Sequence, residues 1–180
     1  MTDSSIEAIS PKAVAAALSR VRTQRPLVQC ITNDVVQEIT ANVLLAAGMS
    51  PAMVPAPEEA AAFAQFAADA LLCNVGTPSE ENSRGMKLAA ATMSEAGKPW
   101  TLDPVGAGGT AWRDDLISDL IDLRPTVIRG NGSEILACAG FAHQYKGVDS
   151  LEPLGARRRQ GACPKVRRHR LRVRRNGLRD

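Results

Sequence analysis

Short, mostly apolar runs alternate with longer amphipathic stretches along most of this chain. The runs Pro26 to Thr32, Ala52 to Val54, Ala70 to Val75, Pro99 to Leu102 and Thr126 to Ile128 have the length and mostly apolar character of buried strands. Between them lie stretches with helical spacing and recognisable ends. Ser10 caps and Pro11 opens a helix to about Arg22; Asn33 caps one from about Val35 to Ala47, which Gly48 closes. Pro57-Glu58-Glu59 begins another with acids in its first turn, as do Glu80 and Glu81 in a helix from Ser79 to Ala96. Trp112 to Leu123 and a segment from Asn131 to near Gly140 complete the series. Strand–helix alternation with strands apolar on both faces predicts an α/β fold, a parallel sheet with flanking helices joined by right-handed crossovers.

With 180 residues, one domain is expected. No apolar run approaches the roughly 18 residues of a membrane helix, and the polar start is no signal peptide. Cys30, Cys73, Cys138 and Cys163 lack C-x-x-C spacing, and three lie in apolar segments, which predicts reduced, mostly buried thiols and a cytoplasmic protein without membrane partners. Charge changes the picture more. Residues 156–180 hold ten Arg, one Lys and one Asp, a net +10; the remaining 11 basic and 18 acidic residues give −7, and the sum is the chain's +3. A mildly acidic body, 1–151, is joined to an arginine-rich segment, 152–180, where the alternating pattern stops.

Chemistry concentrates at two strand ends. Leu102-Asp103-Pro104-Val105-Gly106-Ala107-Gly108-Gly109-Thr110 is an apolar strand ending in a carboxylate and opening into glycine backbone. Val127-Ile128-Arg129-Gly130-Asn131-Gly132-Ser133-Glu134 ends in a guanidinium, with Asn and Glu where a helix should start. Open parallel sheets bind ligands outside the carboxyl ends of their strands. There Asp103 and Glu134 suit Mg²⁺, and Arg129 suits phosphate. Glycine amides at such a loop allow close approach of a phosphate, although the glycines also fit a plain turn that needs positive φ. Asn131-x-x-Glu134 has the spacing of a capping box, so Glu134 fits a purely structural role equally well. Asn33, Val35, Asn42, Met53, Gly76 and Thr77 fall at strand ends or the turns after them. Singly they read as caps and core; together they could line a pocket of apolar and amide character. His143 and His169 stand alone, and no zinc spacing, Ser/His/Asp set or P-loop occurs.

Several stretches in series resemble the N-terminal portion of the hydroxyethylthiazole kinases, of the ribokinase-like superfamily. They are Pro26-Leu-Val-Gln-Cys-Ile-Thr-Asn33, Thr40-Ala-Asn42, Gly48-Met-Ser-Pro-Ala-Met53, Asn74-Val-Gly-Thr77, Asp103 to Thr110, Val127 to Ile135 and Lys146-Gly-Val-Asp149. The resemblance runs from about residue 12 to 151, with Gln29 in place of the usual His and Met49 in place of a small residue. It implies a three-layer ribokinase-like fold and a transferase of thiamine biosynthesis and salvage. ATP would phosphorylate the primary alcohol of 4-methyl-5-(2-hydroxyethyl)thiazole with Mg²⁺ as cofactor. Asn33, Val35, Met53 and Gly76 would face the thiazole, Arg129 would contact ATP, and Asp103 and Glu134 would hold the metal. It also implies a homotrimer with sites between subunits.

No catalytic residue is assigned, because the family's Gly-x-Gly-Cys anion-hole turn and its activating residue have no counterpart in this chain. The expectation is therefore a truncated kinase that does not turn over. GC-rich codons can be chosen for Ala156 to Arg170 that, read one nucleotide later, encode an alanine-rich helix. This predicts a frameshift near Leu154 and a disordered, inert 152–180 segment, with nucleic-acid binding the lesser reading. The rival function is a non-enzymatic fragment that binds a small molecule or a polyanion.

Overall fold

A computed structural model describes residues 10–142, 157–158 and 171–173. Helix α1 (Pro11–Gln24) starts on Ser10, whose side chain accepts the Ala13 amide, and stops at Arg25 in the left-handed region. Strand β1 (Leu27–Ile31) leads to Asn33, which caps a single 3₁₀ turn, Asp34–Val36, before helix α2 (Gln37–Ala47). The sequence pattern predicts one continuous helix from Val35. The Asn33 side chain instead accepts the amides of both Val35 and Val36, which tightens the first turn. Gly48, at φ +94°, ends α2 in a conformation that glycine adopts without strain.

Strand β2 (Ser50–Met53), helix α3 (Pro57–Phe66), strand β3 (Ala70–Asn74), helix α4 (Glu80–Glu95), strand β4 (Trp100–Asp103), helix α5 (Ala111–Asp122), strand β5 (Val127–Gly130) and helix α6 (Gly132–Cys138) follow. The strands run parallel in the order β2-β1-β3-β4-β5. Chain order moves one way from β1 to β2 and the other way thereafter. Right-handed crossovers therefore put α2 on the face opposite α3, α4 and α5, the layered α/β arrangement expected.

The core lies under α3, α4 and α5. Ile31, Leu71, Cys73, Trp100, Leu102 and Ile128 from the sheet meet Ala60, Ala64, Met86, Ala89, Ala90, Met93 and Leu120 from the helices. Small residues let these layers approach closely: a Cβ on Gly85 would lie 2.1 Å from the Pro55 carbonyl oxygen. Lys98 Nζ donates to the carbonyls of Ala64, Gln65 and Ala68, satisfying the end of α3. Gln29, fully buried, donates from Nε2 to the carbonyls of Val54 and Ala60 and so ties the β2–α3 loop to β1. Its Oε1 has no partner among the described residues.

Cys30 and Cys73 are buried and Cys138 partly so, all as free thiols; burial pushes Cys30 up to about 11 and Cys138 up to about 12, which suppresses thiolate chemistry. Among the described residues no helix is long and apolar enough to cross a membrane.

Strand β6 (Phe141–Ala142) pairs antiparallel with β7 (Arg157–Arg158), and β8 (Leu171–Val173) runs parallel to β5 at the sheet edge. Strands β7 and β8 fall within the 152–180 segment. An open strand edge is a template for pairing, and Leu171-Arg172-Val173 has the alternation to use it. The rest of that segment, and Lys146 to Asp149, lie outside the described residues.

Candidate functional site

Four strands deliver polar side chains to one carboxyl edge of the sheet. Asn33 follows β1, Asn74 ends β3, Asp103 ends β4 and Arg129 lies near the end of β5. They form one hydrogen-bonded row across the sheet. Asn33 Nδ2 donates to Asn74 Oδ1 (2.7 Å), Asn74 Nδ2 to Asp103 Oδ2 (2.9 Å), and Arg129 Nη1 to the same Oδ2 (3.0 Å). Asn33, Asn74 and Asp103 are buried, whereas the Arg129 side chain is 53% exposed beside a 10% exposed Asp103. Asp103 Oδ1 is also buried and has no partner among the described residues. A polar atom in that position is one a bound group can satisfy.

Burial raises the Asp103 carboxyl above its ordinary range; the Arg129 charge and the donors from Arg129 and Asn74 oppose that shift without cancelling it. Glu134 is raised for the same first reason, against two backbone amides. Asn131 Oδ1 accepts the Glu134 amide (2.9 Å) and Glu134 Oε2 accepts the Asn131 amide (2.8 Å), a complete capping box. Oε1 accepts the Gly106 amide (3.2 Å), so this carboxylate also fastens the loop after β4 to α6. The structural role weighed for Glu134 is thus present, and it extends beyond the cap.

The glycine loop differs from one sequence reading. Every amide from Val105 to Gly109 is spent inside the protein. Val105 N donates to Asp103 O, Gly106 N to Glu134, Ala107 N to Pro104 O, Gly108 N to Asp114 Oδ1 and Gly109 N to Gly106 O. These amides are not free to cradle a phosphate here. The glycines answer to backbone geometry: Gly106 and Gly108 have φ of +79° and +85°, and a Cβ on Gly106 would lie 2.1 Å from Arg113 Nη1.

On the other side of the row, Gly76 presses against Asn33, where a Cβ would lie 2.5 Å from Nδ2. Thr77 Oγ1 accepts the Asp34 amide (2.9 Å). Met53, half-buried, ends β2 in register with Cys30, and Val35 is 82% exposed on the 3₁₀ turn. Asn42 lies on α2. The edge therefore holds an amide and apolar side around Asn33, Gly76, Met53 and Val35, and a charged side around Asp103, Arg129 and Glu134.

Asn74 is the member the sequence reading did not single out. Its signal was a lone polar residue at the end of the apolar run Ala70–Asn74, the position Asp103 holds in the neighbouring strand and its register partner.

The charged side presents oxygen donors of the kind magnesium takes. It has a partnerless buried Asp103 oxygen and a second raised carboxylate in Glu134 near enough to interact with it. No group of three or more His, Cys, Asp or Glu able to hold a metal occurs among the described residues. Phosphates and waters would supply the remaining ligands, which suits magnesium's habit of keeping few protein carboxylates.

Comparison with known proteins agrees with this architecture. The profile of the hydroxyethylthiazole kinase family matches residues 18–166. Hydroxyethylthiazole kinase of Klebsiella pneumoniae subsp. pneumoniae is 51% identical over 150 residues, covering 83% of this chain and 58% of that protein. The Cereibacter sphaeroides enzyme of the same name is 54% identical over 139 residues, covering 77% and 53%. The solved structure of a hydroxyethylthiazole kinase protein from Pyrococcus horikoshii OT3 superposes with a TM-score of 0.69 at 44% identity, covering 72% of this chain and 50% of that one. The chain thus spans a little over half the length of the curated relatives it matches.

Proposed function

The chain belongs to the hydroxyethylthiazole kinase family, and from that premise we propose that its sheet edge serves magnesium-dependent transfer of the ATP γ-phosphoryl group to the alcohol of 4-methyl-5-(2-hydroxyethyl)thiazole. The observation that carries the reading is the buried row Asn33–Asn74–Asp103–Arg129 with one unsatisfied Asp103 oxygen. In this reaction the alcohol oxygen bonds to the γ-phosphorus, the bond to ADP breaks, and the hydroxyl proton is released.

Such transfer needs positioning and charge neutralisation more than covalent chemistry from the protein. Asn33, Val35, Met53 and Gly76 bind and orient the thiazole. Arg129, anchored through one nitrogen and otherwise open to solvent, meets phosphate oxygens. Asp103 and Glu134 would hold a magnesium ion, which would supply charge to offset that developing on the phosphates.

We further propose that copies of the chain assemble as a homotrimer. The support is an exposed apolar stripe, Val35 (82%), Ile39 (61%) and Val43 (59%), at helical spacing beside Leu45 (57%), with no residue of α1 or α2 buried.

The test is transfer of labelled γ-phosphate to the thiazole alcohol by the purified 180-residue chain, with calorimetry of thiazole and nucleotide binding alongside. Magnesium-dependent formation of the phosphomonoester is expected; neither the fold nor the family comparison supports the expectation, drawn from the sequence, of a chain that does not turn over. A folded chain that yields no product and binds neither ligand overturns the proposal; thiazole binding without turnover returns it to a binding protein.

A further inference from the structure

The polarity of the hydrogen-bonded row is fixed by backbone donors, not by a choice of amide orientation. Asn33 Oδ1 accepts the Val35 amide (3.0 Å) and the Val36 amide (3.2 Å), so its Nδ2 must face Asn74. Asn74 Oδ1 accepts the Gly76 amide (3.0 Å) as well as Asn33 Nδ2, so its own Nδ2 must face Asp103. A backbone N–H can only donate, and a flipped amide at either residue would set donor against donor. Two donors then converge on Asp103 Oδ2, from Asn74 and Arg129, and none among the described residues reaches Oδ1.

We propose that Asn74 is the positioning residue of this edge: its amide, oriented by the Gly76 amide and by the already capped Asn33 side chain, decides which Asp103 oxygen is left for the cation. The inference rests on the kinase reading for the names of the two sides and on the hydrogen bonds alone for the positioning. Asn74 itself is 8% exposed and acts through its neighbours.

No other side chain does the same at this length. Leucine keeps the shape but leaves Asn33 Nδ2 and Asp103 Oδ2 each short of a partner in a buried setting. Aspartate keeps the acceptor for Asn33 and Gly76 but replaces the donor to Asp103 with a like charge. Glutamine carries the amide one methylene too far. The row also orders its donors in one direction, each dipole polarised toward the carboxylate.

The test compares the full 180-residue chain with Asn74→Leu and Asn74→Asp. Three-bond scalar couplings report χ1 of Asn33 and Asp103, and calorimetry reports binding of Mn²⁺ and of the thiazole alcohol. The unsubstituted chain should show one χ1 rotamer at both residues. Asn74→Leu should average Asp103, leave Asn33 held by the Val35 and Val36 amides, and weaken Mn²⁺ about 10–100-fold, the scale on which partners behind a metal ligand act. Asn74→Asp should average Asp103 while leaving Asn33 fixed, a split that a merely space-filling residue does not produce. An unchanged Asp103 rotamer in Asn74→Leu, or equal averaging of both residues in Asn74→Asp, overturns the proposal. The rotamer split without ligand binding by the unsubstituted chain leaves the positioning standing and removes the kinase reading.

Discussion

At the scale of single residues, the site holds two carboxylates that gain little from being charged in the folded state. Asp103 is raised by burial although Arg129 and Asn74 both favour its ionised form. Asp103→Asn removes that cost and leaves Arg129, already half exposed, to solvent. The expected outcome is a higher melting temperature at neutral pH together with loss of Mn²⁺ binding, the exchange of stability for function that a built site implies. Calorimetric melting checks it, and an unchanged or lower temperature contradicts it.

Glu134 is a different case. Its two oxygens accept amides from Asn131 and Gly106, and Gln can supply an acceptor to only one of them. Glu134→Gln should therefore cost about 1–2 kcal/mol in urea unfolding, with the loop after β4 loosened. If the residue also serves the metal, turnover should fall by orders of magnitude and recover partly at raised magnesium. Near-normal turnover at ordinary magnesium would leave it as a cap and loop fastener. The carboxylates and Arg129 could be read from the chain because they follow strand ends. Their mutual contacts could not, since Asp103 and Arg129 are joined by strand order, which no local pattern states.

At the scale of elements, most ends were encoded by their own caps: Ser10, Ser79, Thr110 and Asn131 each accept an amide at the start of a helix. The 3₁₀ turn after Asn33 was not legible, because the same Asn can cap an α-helix equally well. The glycine loop was read as a potential phosphate cradle because no local pattern shows that three of its amides close on nearby carbonyls and two on the Asp114 and Glu134 carboxylates. Lys98 was invisible for the same reason, since its three carbonyl partners lie about 30 residues earlier. Lys98→Met keeps the stem and removes the donors to the end of α3. We expect a loss of about 1–2 kcal/mol, or roughly 2–4 °C of melting temperature per kcal/mol for a chain of this size. On α2, Ile39→Glu with Val43→Glu places charges in the exposed stripe. If that stripe joins copies, sedimentation should shift from trimer to monomer with the helical signal retained; an unchanged assembly would place the interface elsewhere.

At the scale of the whole molecule, sheet order and burial combine into a dependence of stability on pH. The order β2-β1-β3-β4-β5 sets β4 between two other strands, so Asp103 ends inside the fold and Glu134, on α6, closes over the same edge. Both carboxyls have folded values above their ordinary ones. For such a group the folded state binds more protons than the unfolded state between the two values. The stability it contributes is complete below the unfolded value, near 4, and is lost as pH rises through the folded one. Urea unfolding should therefore show stability falling as pH is raised from about 4 toward neutrality. Asp103→Asn should flatten that slope, and the double variant with Glu134→Gln should flatten it further. A native-state slope of opposite sign, with stability rising over that interval, would mean that the favourable contacts from Arg129, Asn74 and the two backbone amides outweigh burial. Bound magnesium should reverse the slope for the same physical reason, because an ion held by both carboxylates favours their charged forms and stabilises the fold in proportion to its occupancy.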